Sequence, residues 1–282
     1  MKAKVPPFSA EWHALGREAA LAAEQLASGA TLLGKANHAQ NGLYLQAFLG
    51  LSLGLERVAK LVAVADYAIE NHGRFPNNND LKNRFGHQID VLLNYCDQLS
   101  IKWRNGKEYS ERPNLLIHKG IVETLTEFAK LSRYYNLDLI IGREAKQIPE
   151  PIGAWWQRVG QPILQKHYTK RQREKDEAQG KIMHALLGGI TIVMHHDEQE
   201  KKIDNLEAKM IQTGATRIVQ KYGRLYTLQI VRWLAFLITD LSHIGAYQHR
   251  IEPLLGLDEY FGIFMNNDAY LKDRKTWSIY RL

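Results

Sequence analysis

Cysteine occurs once in this 282-residue chain, at Cys96, and proline only eight times. A single cysteine excludes an intrachain disulfide and any cysteine-based zinc cluster. A reducing cytoplasm is the expected setting. Cys96 closes the apolar run Val91-Leu92-Leu93-Asn94-Tyr95-Cys96 and is expected to pack as a small core hydrophobe. Also missing is an uncharged apolar run long enough to cross a bilayer. Ala185 to Met194 is too short, and Leu43 to Ala68 carries Glu56, Arg57 and Lys60. Met1 to Glu11 holds two lysines and no apolar stretch, so no signal peptide is expected. There is no Gly-rich phosphate loop, Walker lysine, dinucleotide fingerprint, nucleophile elbow or HExxH. That removes the commonest nucleotide-dependent and hydrolase classes, and no cofactor is expected.

What is present is an ordinary globular mixture, 45% hydrophobic and 24% charged. Leu, Ala, Glu, Lys, Gln and Arg recur, and this mix favours helices. The formal charge of +7 and a pI of about 9.3 suit attraction to nucleic acid or an acidic partner. The surplus is spread along the chain. Its only dense cluster is Lys166 to Lys175, which reads equally as a solvated basic surface.

Helical periodicity recurs almost everywhere and strand alternation hardly anywhere, so the chain reads as an all-α multi-helix bundle. The spacing predicts a first helix from Ser9 or Ala10 to Leu33, with Ser9 as cap. A second runs from Leu43 to Asn71 and ends at His72-Gly73. A short helix over Asp80 to Arg84 and one from His87 to Leu99 follow. Pro113 is expected at the first position of a helix reaching Arg133 to Leu137, because its missing amide costs nothing there. Further helices are expected over Trp155 to Gly180, Lys181 to Gln212, Arg217 to Tyr247, Pro253 to Met265 and Asp268 to Thr276. The best-marked break is Gln147 to Gly153, around Ile148-Pro149-Glu150-Pro151.

Three elements then occur in order. Gly54-Leu55-Glu56-Arg57-Val58-Ala59-Lys60-Leu61 carries a Glu four residues before a Lys, a favourable helix pair. Arg84-Phe85-Gly86-His87-Gln88-Ile89-Asp90-Val91-Leu92 places Gly-His at a helix start. Arg112-Pro113-Asn114-Leu115-Leu116-Ile117-His118 has five residues between Arg and His, with Asn four before the His. This order resembles the helical HEPN superfamily over roughly residues 10–145. The resemblance implies a HEPN-like region over 1–147, while the helical periodicity alone continues over 148–282, as a separate domain or continuous with the first. It also implies metal-independent RNA cleavage, usually across a homodimer interface. Pro113, directly after Arg112, departs from the family pattern.

In that reading His118 is the acid or base, since its ordinary pKa lies near neutrality. Arg112 clamps a phosphate oxygen, and Asn114 orients the histidine or the phosphate. The alternative is a non-catalytic helical module binding protein or RNA. There Arg112 is a surface cation, Asn114 a helix-start residue and His118 a hydrogen-bonded, partly buried side chain.

Other groups carry weaker signals. Arg133, in Ser132-Arg133-Tyr134-Tyr135-Asn136-Leu137-Asp138, is a candidate second phosphate contact if the helix continues past it; otherwise the cluster is a helix end. His87 is a candidate neighbour of the same site or a plain helix-start residue. Lys170, Arg171 and Arg173, interleaved with aromatics, are candidates for tracking a nucleic-acid backbone. His184 and His195 would lie about 16 Å apart on one straight helix, and His195-His196-Asp197 lacks ligand spacing, so no metal is expected. Asp240 and His243, three apart on an apolar helix, are expected to form a structural hydrogen-bonded pair.

Overall fold

The computed structural model describes residues 8–77, 88–142, 149–191 and 193–279. Within them the protein is an all-α bundle whose only sheet is a two-residue hairpin. Helix α1 (Ala10–Leu33) starts where Ser9 Oγ accepts the Trp12 amide at 3.1 Å. The same hydroxyl donates to Glu252 Oε2 at 2.6 Å, tying the first helix to the C-terminal region. Helix α2 (Asn41–Glu70) is the longest apolar element of the N-terminal half. It lies antiparallel to α1, because Arg57 reaches Glu18 at 2.6 Å while Gly29 meets Leu51. The alanine-rich facing surfaces (Ala19, Ala22, Ala23, Ala30, Ala47) are fully buried and allow close approach. Lys60 and Glu56 pair at 2.7 Å on this helix, as their spacing predicts.

Helix α3 (Ile89–Arg104) buries Cys96 completely, and burial raises its thiol pKa. Gly86 and His87 and the expected Asp80–Arg84 helix lie outside the described residues. Helix α4 (Leu116–Lys130) is shorter at both ends than its sequence suggests. Pro113 belongs to the extended approach, and the helix starts three residues later. At the other end Leu131 leaves the helical region with φ −130°, so Arg133 falls in a 3₁₀ turn (Ser132–Tyr134) before α5 (Tyr135–Ile140).

The C-terminal half departs further from expectation. Helix α6 (Pro151–Trp155), a π-helical turn (Trp156–Gly160) and α7 (Gln161–His167) precede α8 (Lys170–Leu187). The expected Lys181–Gln212 helix does not exist. Turn residues Gly188-Gly189-Ile190 end α8, and strands β1 (His195–His196) and β2 (Lys202–Ile203) pair antiparallel. Asp197 closes that hairpin by accepting the Gln199 and Lys201 amides, each at 2.8 Å. Asn205 then caps α9 (Leu206–His243), accepting the Ala208 amide at 2.8 Å. The helix expected to begin at Arg217 therefore starts at Leu206. A π-helical turn (Ile244–Gln248) follows. Beyond it, two 3₁₀ turns (Glu252–Leu254, Glu259–Phe264) replace the expected Pro253–Met265 helix, while the helix expected from Asp268 is present as α10 (Asp268–Asp273), three residues short of Thr276.

Helix α9 packs against α1, α2, α3 and α4. Buried residues of both halves form one hydrophobic cluster, from Ala19 and Phe48 to Trp233, Leu241 and Phe264. The 1–147 and 148–282 regions thus share a core. No helix among the described residues is long and apolar enough to cross a membrane.

Candidate functional site

The start of α4 lacks an ordinary cap. Leu115, at the N-cap, has no side-chain acceptor, and Pro113 supplies no amide. His118, in the first turn, fills the gap by accepting the Leu115 amide at Nδ1 over 3.2 Å. This bond makes Nδ1 the acceptor, so the proton resides on Nε2. Nε2 donates to Gln229 Oε1 on α9 at 2.8 Å. Gln229 in turn donates to Asp268 Oδ2 at 2.9 Å, and Arg232 holds the other oxygen of Asp268 at 2.8 Å. The His118 ring also stands edge-on to Tyr226. The residue is 3% exposed. Burial lowers its pKa, only partly opposed by the Gln229 hydrogen bond, so the neutral imidazole prevails at pH 7.

Arg112 turns toward α3. Its Nη2 donates to Asn94 Oδ1 at 3.0 Å and pairs with Asp97 Oδ2 at 2.9 Å. Burial pushes the Asp97 carboxyl up, against the pull of Arg112. Asn114 is exposed and precedes the helix, so the four-residue spacing to His118 does not put both on one helix face.

The structure nevertheless brings Arg112, Asn114 and His118 to one cavity of about 560 Å³ between α3 and α4. Its charge is balanced: Arg112, Lys119 and Lys130 against Asp90, Glu123 and Glu127. Several of these charges are already matched. Arg158 forks onto Glu127 at 2.6 and 3.1 Å, and Lys130 lies 3.5 Å from Asp90. The close approach of α4 to the π-helical turn makes the fork possible, because Gly120 sits where a Cβ would lie 2.6 Å from the Arg158 carbonyl oxygen. A cavity with such a lining does not favour an anion over a neutral ligand.

The remaining candidates are dispersed. Arg133 lines a different cavity, with Tyr134, Glu150 and Glu198, because the helix breaks at Leu131 before reaching it. That break removes the basis for placing it beside His118. Lys170 is exposed near Glu174 at 3.7 Å, and Arg171 is exposed. Arg173 folds back, donating to the Tyr168 carbonyl at 3.1 Å and lying over the Tyr168 ring. His184 and His195 occupy separate elements, α8 and β1. No cluster of three metal-ligating side chains occurs among the described residues. Asp240 and His243 do not bond each other. Asp240 takes Arg104 at 2.5 Å and Lys107 at 3.0 Å, while His243 meets Asp258 at 3.2 Å.

The partners that decide the site, Asn94, Asp97 and Gln229, were not evident in the sequence. Asn94 and Asp97 lie three apart on one helix, a faint signal for a shared target. Gln229 carried none.

Compared with protein-family models, with curated proteins and with solved structures, the chain finds no match. Fold and site together define an all-α helical bundle with a charge-balanced cavity at the Arg112–His118 segment.

Proposed function

We propose that this chain is a non-catalytic helical module that binds RNA. The observation carrying the first half is that both ring nitrogens of His118 are already bonded within the fold, in a side chain 3% exposed. A general acid or base must reach the substrate with a ring nitrogen. Here one nitrogen serves the helix start and the other serves Gln229. Arg112 is likewise matched by Asn94 and Asp97. The RNA half is supported by the surplus of +7 and by exposed Lys166, Lys170, Arg171 and Lys175 along α7 and α8.

A second reading is the metal-independent endoribonuclease that the HEPN resemblance implies, acting as a homodimer. One observation favours it: Arg112, Asn114 and His118 line the same cavity. It requires His118 to leave Gln229 and Arg112 to leave Asp97 when RNA arrives.

The deciding experiment incubates a labelled single-stranded oligoribonucleotide with purified protein in chelator, and measures retention across a salt series. Binding that weakens with salt and with Lys170→Glu/Arg171→Glu, without cleavage, is expected. Cleavage lost in both Arg112→Ala and His118→Ala would establish the nuclease instead. Salt-independent or absent retention would remove RNA from both.

A further inference from the structure

Among the described residues, three arginines are almost wholly buried: Arg104 at 4%, Arg224 at 4% and Arg232 at 6% exposure. Two have carboxylate partners, Asp240 for Arg104 at 2.5 Å and Asp268 for Arg232 at 2.8 Å. Arg224 has no carboxylate in ion-pair contact among the described residues, although Asp273 acts on it through space. Its Nη2 donates to the Lys272 carbonyl at 2.8 Å, and its Nε is buried without a partner. A buried cation with no carboxylate in direct contact is costly unless something supplies the opposite charge, and burial accordingly lowers the Arg224 pKa despite Asp273.

The Arg224 guanidinium lines a cavity of about 400 Å³ beside the end of α1. Lys35, Arg217, Lys221, Lys272 and Lys275 line the same space, and Asp273 is its sole carboxylate. Asp273 is engaged by Lys221 at 3.1 Å, and Arg217 points to Asp176 at 3.3 Å. Lys35, Arg224, Lys272 and Lys275 make no ion-pair contact among the described residues, and Asp273 is the one carboxylate acting on Arg224 and Lys272. Room for the guanidinium comes from Gly34, where a Cβ would collide with Arg224 Nη1.

We propose that this cavity is a binding site for a terminal phosphate group, with Arg224 as its buried anchor and Lys35, Lys272 and Lys275 as its rim. A terminal phosphate carries close to two negative charges and three acceptor oxygens, which suits a fixed guanidinium with several lysines around it. A phosphodiester within a strand brings a single charge and matches four unpaired cations less well. The contrast with the charge-balanced Arg112 cavity is internal to this molecule. The site does not depend on RNA binding elsewhere, since a free nucleotide and the 5′ end of an RNA offer the same chemistry.

Calorimetric titration of the full chain with inorganic phosphate, a nucleoside 5′-monophosphate, and one oligoribonucleotide in 5′-phosphorylated and 5′-hydroxyl forms tests this at constant ionic strength. Saturable binding is expected for the phosphate-bearing probes, weakened roughly tenfold or more by Arg224→Met. Because Arg224→Met removes a buried side chain, Lys35→Glu/Lys275→Glu provides a second variant confined to exposed positions, and the same direction of effect is expected. Tighter binding of the monophosphate than of the oligomer identifies a free nucleotide as the source. Tighter binding of the 5′-phosphorylated oligomer identifies an RNA end. Equal binding of both oligomer forms with no binding of the monophosphate, or phosphate affinity unchanged in the folded lysine variant, overturns the proposal.

Discussion

His118 Nε2 lies 2.8 Å from Gln229 Oε1, a side chain 111 residues further along the sequence. That single bond joins the start of α4 to the middle of α9, while the opposite ring nitrogen holds the helix start itself. From the sequence the histidine reads either as a catalytic group or as a partly buried, hydrogen-bonded side chain, and the structure gives it two structural bonds.

Replacing His118 with alanine should therefore destabilise the fold. The lost helix-start bond and the buried Gln229 left without its partner together predict a cost of about 1–3 kcal/mol. Urea unfolding followed by circular dichroism measures it. A midpoint unchanged within error would mean that these two bonds contribute nothing.

The same residue predicts a pH dependence. Burial is the largest cause of lowered pKa values at His38, His118 and His167. The unfolded chain takes up these protons below about pH 6.5, but the folded chain does so only at lower pH. Stability from these groups is thus complete above the unfolded value and declines as pH falls through it toward each folded pKa. Glu150 and Glu198, whose carboxyls burial pushes up, act in the opposite sense, so the informative quantity is a difference between variants. His118→Gln should lose less stability than the wild type between about pH 7.5 and about pH 5.5. Parallel curves would contradict this.

Arg104 and Asp240 form a largely buried ion pair at 2.5 Å, linking α3 to α9. Asp240→Asn leaves the Arg104 guanidinium with carbonyl partners at Phe236 and Glu108 but no buried counter-charge. A loss of about 3–5 kcal/mol is expected. The double variant Arg104→Met/Asp240→Leu should be more stable than the sum of the single losses predicts, because it removes both charges together. A double-mutant cycle by denaturant unfolding reads this directly, and strict additivity would refute the coupling.

Gly120→Ala tests how closely α4 approaches the π-helical turn. The new methyl would stand 2.6 Å from a backbone oxygen of Arg158, which cannot swing aside like a side-chain tip. The variant should lose about 1–3 kcal/mol. It should also loosen the Arg158–Glu127 fork. Thermal unfolding and backbone amide exchange across 156–160 check both, and an unchanged melting temperature would count against the close contact.

Much of the helical framework was legible because its signals are local. The Ser9 cap, the Glu56–Lys60 pair and the burial of Cys96 follow from apolar spacing and nearest-turn chemistry, and the structure contains all three. Errors arose where a local pattern had two outcomes. Gly188-Gly189 and Asp197 turn an apparently helical stretch into a hairpin. Leu131 ends a helix whose periodicity continues on paper, and this sends Arg133 to another cavity.

By itself, then, the sequence determined an all-α chain with α1 and α2 nearly at their observed bounds, since capping and 3.6-residue periodicity act within a turn or two. Only the tertiary structure decided what Arg112, His118 and Arg224 do. Their decisive partners lie on other elements: Asp97 on α3, Gln229 on α9, and for Arg224 only the Lys272 carbonyl, with no carboxylate in ion-pair contact among the described residues. The charge and hydrogen-bonding state of a buried polar group is set by whatever folding brings against it. For His118 that contact lies 111 residues away, beyond the reach of any periodicity.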